Sequence, residues 1–424
     1  MTDATTHAEA GSDDGLPDTP PVDDWTTDYD IFDSDYVVDP YPIWEDLRQE
    51  CPVAHTERWG GSWLPTKYED VVAMARMVPA LSSTDPIVVR PPSDSANQAG
   101  QSDAPAGGYS GSNVPPISSD PPVHTWARRL ILPSFSPKAT AGHEQFTRDL
   151  CNELIDGVID VGRVDGAQQY AQQIPPRVIA KLMGIDQSKA DLFTEWVRGV
   201  LELGLTNPPL RQKSREAIVE FFRSEIKDRL ENPGDDLISE LLRTEVDGEP
   251  IDITHVVGTC NLMLIAGIDT TWSSIGSALW HLAGHPEDRR RLVNEPELIP
   301  TAVEELLRAY SPVTMARVVQ EDVDYNGCPF KPGDKILMNF PGANRDPEMF
   351  ENPNEVILDR ERNRHVAFGV GIHRCAGSNL ARMEMRISIE EWLKRIPEFE
   401  LEDPSAVTWA GGQVRGPRQL PIVF

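Results

Sequence analysis

Residues 368–377 read Phe-Gly-Val-Gly-Ile-His-Arg-Cys-Ala-Gly, and this stretch decides the fold prediction. Three glycines lie in the loop, and an apolar-periodic segment that predicts a helix from Ser378 to Arg395 follows it. The pattern therefore predicts Cys375 at a helix N-terminus, where backbone N–H groups and the helix dipole lower the pKa of a thiol. Taken as chemistry alone, such a cysteine is either the thiolate ligand of a metal centre or a catalytic nucleophile.

A second pattern lies upstream, where Ala-Gly-Ile-Asp-Thr-Thr at 266–271 interrupts a long apolar segment. The segment from Thr254 to Gly284 predicts one helix that crosses the whole domain. A buried helix normally excludes Asp and paired Thr residues, because each polar group there needs a partner. These residues could handle protons beside a ligand, with Ala266 and Gly267 leaving room for it, or they could form a structural polar network.

The remaining charged patterns are less specific. Glu305 and Arg308 lie three residues apart on a short predicted helix, which on composition alone is typical of a surface ion pair. His124 and Arg128 share a helix face and could bind one carboxylate together, and Arg317 lies on a predicted strand where it could bind a second. Each of these side chains could equally be a solvated charge.

Together these patterns resemble the cytochrome P-450 superfamily. The chain matches its motifs F-G-x-G-x-H-x-C-x-G, A/G-G-x-D/E-T-T and E-x-x-R at every specified position, and in family order, between Tyr36 and Phe424. The spacing is similar to that of soluble bacterial enzymes of the camphor-hydroxylase type. The resemblance implies a mainly α (α+β) fold, in which residues 36–424 form a single helix-rich haem domain with small β-sheets.

The resemblance also implies roles for single residues. Cys375 would be the axial thiolate ligand of the iron in haem b, and Thr270 and Asp269 would be catalytic residues that manage oxygen protonation. Glu305 and Arg308 would be structural. The haem carboxylates would be bound by His124, Arg128, Arg317 and His373.

By the same resemblance, the protein is a monooxygenase. It would activate O2 with electrons from a separate ferredoxin and ferredoxin reductase, and hydroxylate or dealkylate a small hydrophobic substrate such as a terpenoid or aromatic compound. Five of the six implied substrate-binding residues are apolar, which favours a substrate with at most one polar anchor, although some of them could serve core packing instead. The six are Leu262, Ile265, Ala266, Val313, Gln413 and Val414.

Two alternatives use the same iron ligation. A peroxygenase or haem-dependent isomerase is disfavoured, because such family members often lack the acid or the threonine that Asp269 and Thr270 provide. A haem-thiolate sensor would use the iron for recognition only. A zinc site would need further ligands at short spacing, and His365 and His373 around one cysteine form no familiar pattern.

Composition narrows the function classes further. The net charge of −29 disfavours binding to nucleic acid or to anionic membranes, and no secretory signal is recognisable, so the prediction is a cytoplasmic protein. The five cysteines are scattered and odd in number, which argues against a disulfide framework. Within 360–386, six arginines against two acids predict a basic surface for an acidic ferredoxin, unless internal ion pairs use those arginines.

The coarse organisation follows from residue patterns. Residues 1–35 contain eleven acids and no Lys or Arg, which predicts a disordered acidic segment, and the Gly/Ser/Pro-rich stretch 81–116 predicts a long loop that is either a lid or a flexible insertion. Helices are predicted over 42–50 and 68–77, and strands over 61–66, 316–320, 323–325 and 335–339.

Overall fold

The computed structural model describes residues 19–89, 114–246 and 248–424. The helices in these ranges are α1 Trp25–Asp28, α2 Ser34–Val38, α3 Pro40–Glu50, α4 Tyr68–Met74, α5 Val123–Ile131, α6 Pro137–Ala141, α7 Glu144–Asp156, α8 Ile174–Leu182, α9 Ala190–Leu201, α10 Pro208–Glu231, α11 Leu237–Arg243, α12 Ile253–Gly267, α13 Asp269–Gly284, α14 Pro286–Asn294, α15 Ile299–Ala309, α16 Phe340–Ala343 and α17 Ser378–Arg395. The strands are β1 Val53–Thr56, β2 Ser62–Pro65, β3 Leu81–Ser82, β4 Arg163–Asp165, β5 Glu245–Val246, β6 Glu249–Pro250, β7 Met315–Val319, β8 Val323–Tyr325, β9 Cys328–Phe330, β10 Lys335–Met338, β11 Glu400–Leu401, β12 Thr408–Ala410, β13 Gly416–Gln419 and β14 Pro421–Val423.

The strands form small separate sheets, as the resemblance predicted. The largest has the order β1-β2-β10-β7-β3, with β10 parallel to β2 and the other pairs antiparallel. Within it Ile336 of β10 pairs with Arg317 of β7. Because alternate residues of a strand face the same side, Met315 and Arg317 both point to the cavity described below.

The long apolar segment forms two helices and not the single predicted helix. α12 ends at Gly267 and α13 begins at Asp269, with Ile268 (φ −101°, ψ −72°) between them. A side chain at Gly267 would approach the Ile179 side chain of α8 to 2.6 Å, so the missing side chain serves helix packing as well as the cavity. Length and composition would let the α12–α13 segment cross a membrane, but most of it is buried inside the protein.

The helix and strand predictions hold to within a few residues, and α17 and β8 have the predicted bounds. The predicted start of folded structure at Tyr36 is too late, because α1 precedes it and Tyr29, Ile31 and Phe32 are buried in the core. Polar residues dominate the sequence before Tyr36, and the prediction therefore gave too little weight to the few large apolar side chains there. Residues 1–18 and 90–113, which hold the rest of the predicted disordered segment and most of the predicted loop, lie outside the described residues.

Candidate functional site

A cavity of about 690 Å³ lies between the α12–α13 break and the loop before α17. On one side it is lined by Ile265, Ala266 and Thr270 of the broken helix, and on the other by Phe368 and Cys375 of the loop. The predicted cysteine and threonine, more than one hundred residues apart in the chain, therefore face the same cavity.

The loop around Cys375 is held in a backbone shape that only glycine adopts easily. Gly369 and Gly371 have φ of +67° and +77°, the left-handed region that favours glycine. A side chain at Gly371 would also approach the Ala75 carbonyl to 3.2 Å. The Cys375 N–H donates to the Phe368 carbonyl (2.8 Å), which closes the loop and fixes the thiol toward the cavity.

The thiol of Cys375 is open to the cavity but otherwise surrounded by protein. This burial raises the pKa of the Cys375 thiol, although the Gly377 backbone N–H and the charge of Arg128 favour the thiolate. The prediction of a lowered thiol pKa was therefore wrong for the protein alone. Cys375 precedes the first residue of α17 by three positions, and desolvation outweighs the helix terminus.

Four basic side chains form a cluster beside Cys375, which we call the anion clamp: His124, Arg128, Arg317 and His373. The rings of His124 and His373 lie 4.3 Å apart, and the Nε2 atom of each is buried without a hydrogen-bond partner among the described residues. Burial lowers the pKa of both histidines, and that of His373 falls to about 2, with nearby Arg317 adding to the effect. Both imidazoles are therefore neutral near neutral pH, and each has a free Nε2 that donates or accepts a hydrogen bond according to its tautomer.

The two arginines of the anion clamp are charged and only partly satisfied. Arg317 is 4% exposed, its Nη1 donates to the Ala316 carbonyl (2.8 Å), and its Nε has no partner among the described residues. Burial lowers the pKa of Arg317 to about 10, so it stays charged at neutral pH. Arg128 donates to the Arg374 carbonyl. Since buried donors are normally satisfied, these unused donors indicate a site for an anionic group.

The break between α12 and α13 places Thr270 and Asp269 on different sides. The Thr270 side chain lines the cavity, and its hydroxyl donates to the Ala266 carbonyl (2.9 Å) across the break. Asp269 is fully buried and is not among the cavity-lining residues. The two neighbours in sequence therefore cannot act on a bound molecule in the same way.

Asp269 instead joins a chain of charged groups. Its Oδ1 accepts from Arg418 (2.9 Å) and Ser273 (3.0 Å), while its Oδ2 has no partner among the described residues. Burial raises the pKa of Asp269, although Arg418 opposes the shift. Arg418 also binds Glu202, and Glu202 binds Arg198 on α9, whose side chain is 37% exposed. The chain of charges thus connects the buried carboxyl to the protein surface.

The six predicted substrate-binding residues all line the cavity. However, the amide of Gln413 is already used: its Oε1 accepts from the Val88 N–H (3.0 Å) and its Nε2 donates to the Pro86 carbonyl (3.3 Å). Gln413 therefore positions the segment that contains Pro86 and Val88, and it is not an available polar anchor.

The cavity also has polar residues that the sequence analysis missed. Arg211, Gln212 and Arg215 of α10 line it, as do Asn261 of α12 and Glu384 of α17. The cavity wall therefore holds more polar groups than the six predicted substrate-binding residues, of which only Gln413 is polar. The spacing of Arg211 and Arg215 by four residues on a helix near its N-terminus was a signal that could have identified this wall.

Glu384 is the most deeply buried acid of the cavity wall. It is 1% exposed, and neither carboxyl oxygen has a hydrogen-bond partner among the described residues. Burial raises the pKa of Glu384 well above its ordinary value and so favours the protonated carboxyl.

Glu305 and Arg308 lie behind the site, in what we call the closed cluster: Glu305, Arg308, Arg360 and Asn363. Glu305 and Arg308 are fully buried and joined by two hydrogen bonds of 2.7 and 2.8 Å. Arg308 also donates to the carbonyls of Asn344, Pro353 and Glu355. Arg360 and Asn363 donate to the same Glu305 carboxylate. The cluster ties α15 to the segment that leads into the cysteine loop.

The predicted basic surface is smaller than the sequence suggested. Arg360 belongs to the closed cluster, Arg382 binds Glu304 (2.5 Å), and Arg386 binds Glu144 and Glu390 (3.0 Å each). Internal ion pairs therefore use three of the six arginines. Arg362, Arg364 and Arg374 remain outside those pairs.

The donor set beside Cys375 fits haem. Two charged guanidiniums and two neutral imidazoles, each with a free ring nitrogen, suit the two carboxylates of the group, and the cavity-facing thiol suits its iron. Within the described residues, no cluster of three or more His, Cys, Asp or Glu side chains could hold a metal ion by itself.

Comparisons with known proteins show which family the chain resembles. The cytochrome P450 family model matches residues 209–408. The polyketide biosynthesis cytochrome P450 PksS of Bacillus subtilis is 31% identical over 392 residues, 90% of this chain and 95% of that protein. Cytochrome P450-terp of a Pseudomonas species is 31% identical, covering 91% of this chain and 93% of its own. The crystal structure of CYP101J2 has a TM-score of 0.83 at 27% identity and covers 100% of both chains.

Proposed function

The chain belongs to the cytochrome P450 family, a family of haem b enzymes with a cysteine thiolate ligand, and on that premise we propose that it is a ferredoxin-dependent monooxygenase of a small, mostly apolar substrate. The observation that carries the proposal is the meeting of Cys375, Thr270 and the anion clamp at one cavity. The relatives named above belong to the same family but have different roles. The proposed substrate class is therefore argued from the residues that line the cavity.

In this proposal, Cys375 holds the haem iron through its thiolate, and His124, Arg128, Arg317 and His373 hold the haem carboxylates. When bound, the haem supplies the iron at which O2 is activated. The raised thiol pKa of the protein alone means that binding the metal must release the thiol proton, because the thiolate is the ligand.

Burial favours the protonated form of two acids near the site. Asp269 holds a proton more readily than an ordinary aspartate, and the charges of Arg418, Glu202 and Arg198 connect it to the surface. The Thr270 hydroxyl lies at the cavity wall, where it donates to the Ala266 carbonyl and its oxygen can accept a hydrogen bond from a bound molecule. Glu384 holds a second proton at the cavity wall.

The apolar walls would bind and orient the substrate body and exclude water from it. Leu262, Ile265 and Ala266 lie on α12, while Val313 and Val414 form an isolated bridge on the opposite wall. Terpenoid and aromatic compounds suit such walls, and hydroxylation or dealkylation are the reactions we expect. Electrons would come from a separate ferredoxin and its reductase, with Arg362, Arg364 and Arg374 offering the remaining positive charge for docking. We place the enzyme in the cytoplasm.

The test is the carbon monoxide difference spectrum of the reduced, haem-loaded protein. We expect a Soret band at the long wavelength that a thiolate ligand gives, its loss in Cys375→Ser, and its retention in the matched control Cys51→Ser, because Cys51 lies outside the cavity. Absence of the band from folded, haem-loaded wild-type protein would overturn the proposal. Equal substrate turnover with peroxide alone and with reduced ferredoxin would favour the peroxygenase alternative.

A further inference from the structure

The first two turns of α10 form a polar strip on an otherwise largely apolar cavity. Pro208, Arg211, Gln212 and Arg215 of these turns all line the cavity. Arg211 and Arg215 are four residues apart and so share one helix face. Asn207 caps the helix by accepting from the Leu210 N–H (3.1 Å), so both arginines lie near the positive end of the helix dipole.

Arg215 carries a charge that no described residue neutralises. It is half-buried and makes no hydrogen bond or ion pair with any residue in the described ranges. Burial lowers its pKa and the charge of Asp85 opposes that shift, but a guanidinium stays protonated in either case. The Asp85 carboxylate is itself bound by the Lys335 ammonium at 2.7 Å. The positive charge of Arg215 therefore remains available to a molecule in the cavity.

The other charges of the cavity wall do not cancel it. Under the proposed function, Arg128 and Arg317 bind the haem carboxylates. Burial raises the pKa of Glu384 well above its ordinary value and so favours the neutral carboxyl. An excess of positive charge therefore remains at the α10 wall. Water is partly excluded there, so the attraction between this charge and a negative group is strong.

Asn261 supplies a second polar group at the same cavity. It is 4% exposed, lines the cavity, and its Oδ1 has no hydrogen-bond partner among the described residues. α12, which carries it, packs against α10. Because Oδ1 only accepts hydrogen bonds, this unused atom suits a donor group and would not itself bind an anion, which leaves Arg215 as the anion-binding group of this wall.

We propose that the substrate is an apolar molecule with one terminal carboxylate, which Arg215 binds at the α10 wall. The proposal rests on the monooxygenase function and narrows its substrate class from neutral apolar compounds to apolar acids. A guanidinium binds a carboxylate through two parallel hydrogen bonds and so fixes its orientation as well as its charge. The apolar body would then extend along Leu262 and Ile265 toward the Cys375 side of the cavity.

The test compares matched acids and alcohols on the ferric holoenzyme. Decanoic acid against 1-decanol, and 3-phenylpropanoic acid against 3-phenyl-1-propanol, are titrated at neutral pH while the Soret shift is read. We expect the wild type to bind at least one acid about tenfold or more tightly than its alcohol, because a charge-assisted hydrogen bond is lost in the alcohol. Arg215→Gln should abolish this preference by weakening the acid alone.

Two further variants separate the contact from general charge. Arg215→Lys keeps the charge and should keep part of the acid preference, whereas Arg223→Gln removes an exposed arginine on the same helix that does not line the cavity and should leave the preference intact. The proposal is overturned if neither acid binds more tightly than its alcohol in the wild type. Equal loss of acid and alcohol binding in Arg215→Gln, or an equal effect of Arg223→Gln, also overturns it.

Failure of this inference is distinguishable from failure of the proposed function. A holoenzyme with the long-wavelength carbon monoxide band but no acid preference refutes only the carboxylate contact. If the band itself is absent, the acid–alcohol comparison is read from the shift in melting temperature on ligand binding, which needs no haem signal. An acid-specific shift that Arg215→Gln removes would then support the contact by itself.

Discussion

The closed cluster and the anion clamp each contain a buried arginine, Arg308 and Arg317, and the two arginines differ in how completely their donors are used. In the closed cluster, Arg308 donates to Glu305 and to three backbone carbonyls, and Arg360 binds the same carboxylate. In the anion clamp, Arg317 makes one hydrogen bond to a backbone carbonyl and its Nε makes none with the described residues. No acid pairs with Arg317 among those residues.

This difference in hydrogen bonding distinguishes arginines that stabilise the fold from arginines that bind a ligand. A buried arginine whose donors are all used has no capacity for a ligand, whereas one with unused donors is costly unless something binds there. The protein therefore stabilises its fold with the closed cluster and accepts a destabilising charge in the anion clamp. Substitutions in the two groups should have opposite effects on the stability of the haem-free protein.

The largest effect is expected from breaking the closed cluster with Glu305→Gln. The change leaves the buried guanidiniums of Arg308 and Arg360 without their shared carboxylate, which should lower the free energy of unfolding by about 3–5 kcal/mol. Denaturant unfolding of the haem-free protein, followed by circular dichroism, measures it.

A matched control tests whether burial is the cause. Arg290→Gln removes an arginine that binds Glu398 at 3.1 Å with both side chains mostly exposed, and its unfolding midpoint should match the wild type. If Glu305→Gln has no larger effect than Arg290→Gln, the closed cluster does not stabilise the fold.

The sequence identified the residues of the site and of the closed cluster more reliably than it predicted the role of each residue. The family resemblance implied that Cys375 and Thr270 meet at one site, and the two motifs that carry it, a glycine-rich loop and a polar interruption in an apolar helix, are local signals. The sequence predicted Glu305 and Arg308 as a pair, but composition alone favoured the surface. Glu305 and Arg308 are buried because Arg360 and backbone carbonyls some forty residues away bind them. A pattern of neighbouring residues cannot show such contacts.

The errors have the same origin. The residues that use the Gln413 amide lie 325 and 327 residues before it in the chain. The basic surface was overestimated because net charge along the chain ignores partners such as Glu304. In both cases, a contact with a residue distant in the sequence changes the role of a residue that the sequence analysis had placed at the site.

The second prediction concerns the anion clamp. Arg317→Met removes an uncompensated buried charge and keeps much of the volume, so the haem-free protein should be as stable as the wild type or more stable. Haem affinity should fall about tenfold or more, because a charge-assisted hydrogen bond to a haem carboxylate is lost. Haem transfer to excess apomyoglobin measures the affinity, and denaturant unfolding measures the stability.

The comparison between the two clusters fails if Arg317→Met and Glu305→Gln change the stability of the haem-free protein in the same direction. Loss of stability in the haem-free Arg317→Met protein, similar to that of Glu305→Gln, would mean that Arg317 is a structural residue with an unrecognised partner. Unchanged haem affinity would remove Arg317 from the anion clamp. Either result would leave the thiolate assignment to its own spectroscopic test.

The smallest effect is expected at Glu304, which lies beside the closed cluster but is only partly buried. It accepts hydrogen bonds from His365 (3.0 Å) and Arg382 (2.5 and 2.8 Å), with 31% of its side chain exposed. Burial opposes ionisation, but these hydrogen bonds outweigh it and lower the pKa of Glu304 from 4.5 to about 2. Glu304 is therefore paired like Glu305, yet it can titrate without complete unfolding.

The last prediction is the pH dependence of Glu304→Gln. Because the folded pKa is below the unfolded value of 4.5, the unfolded chain takes up the proton first, so the stabilisation by Glu304 is complete above that pH and is lost as the pH falls toward 2. The difference in unfolding free energy between wild type and Glu304→Gln, measured from near neutral pH down to pH of about 3, should shrink on acidification. A difference that stays constant over this window would mean that the ionised Glu304 contributes nothing to stability, and that the paired arrangement stabilises the fold only where it is fully buried.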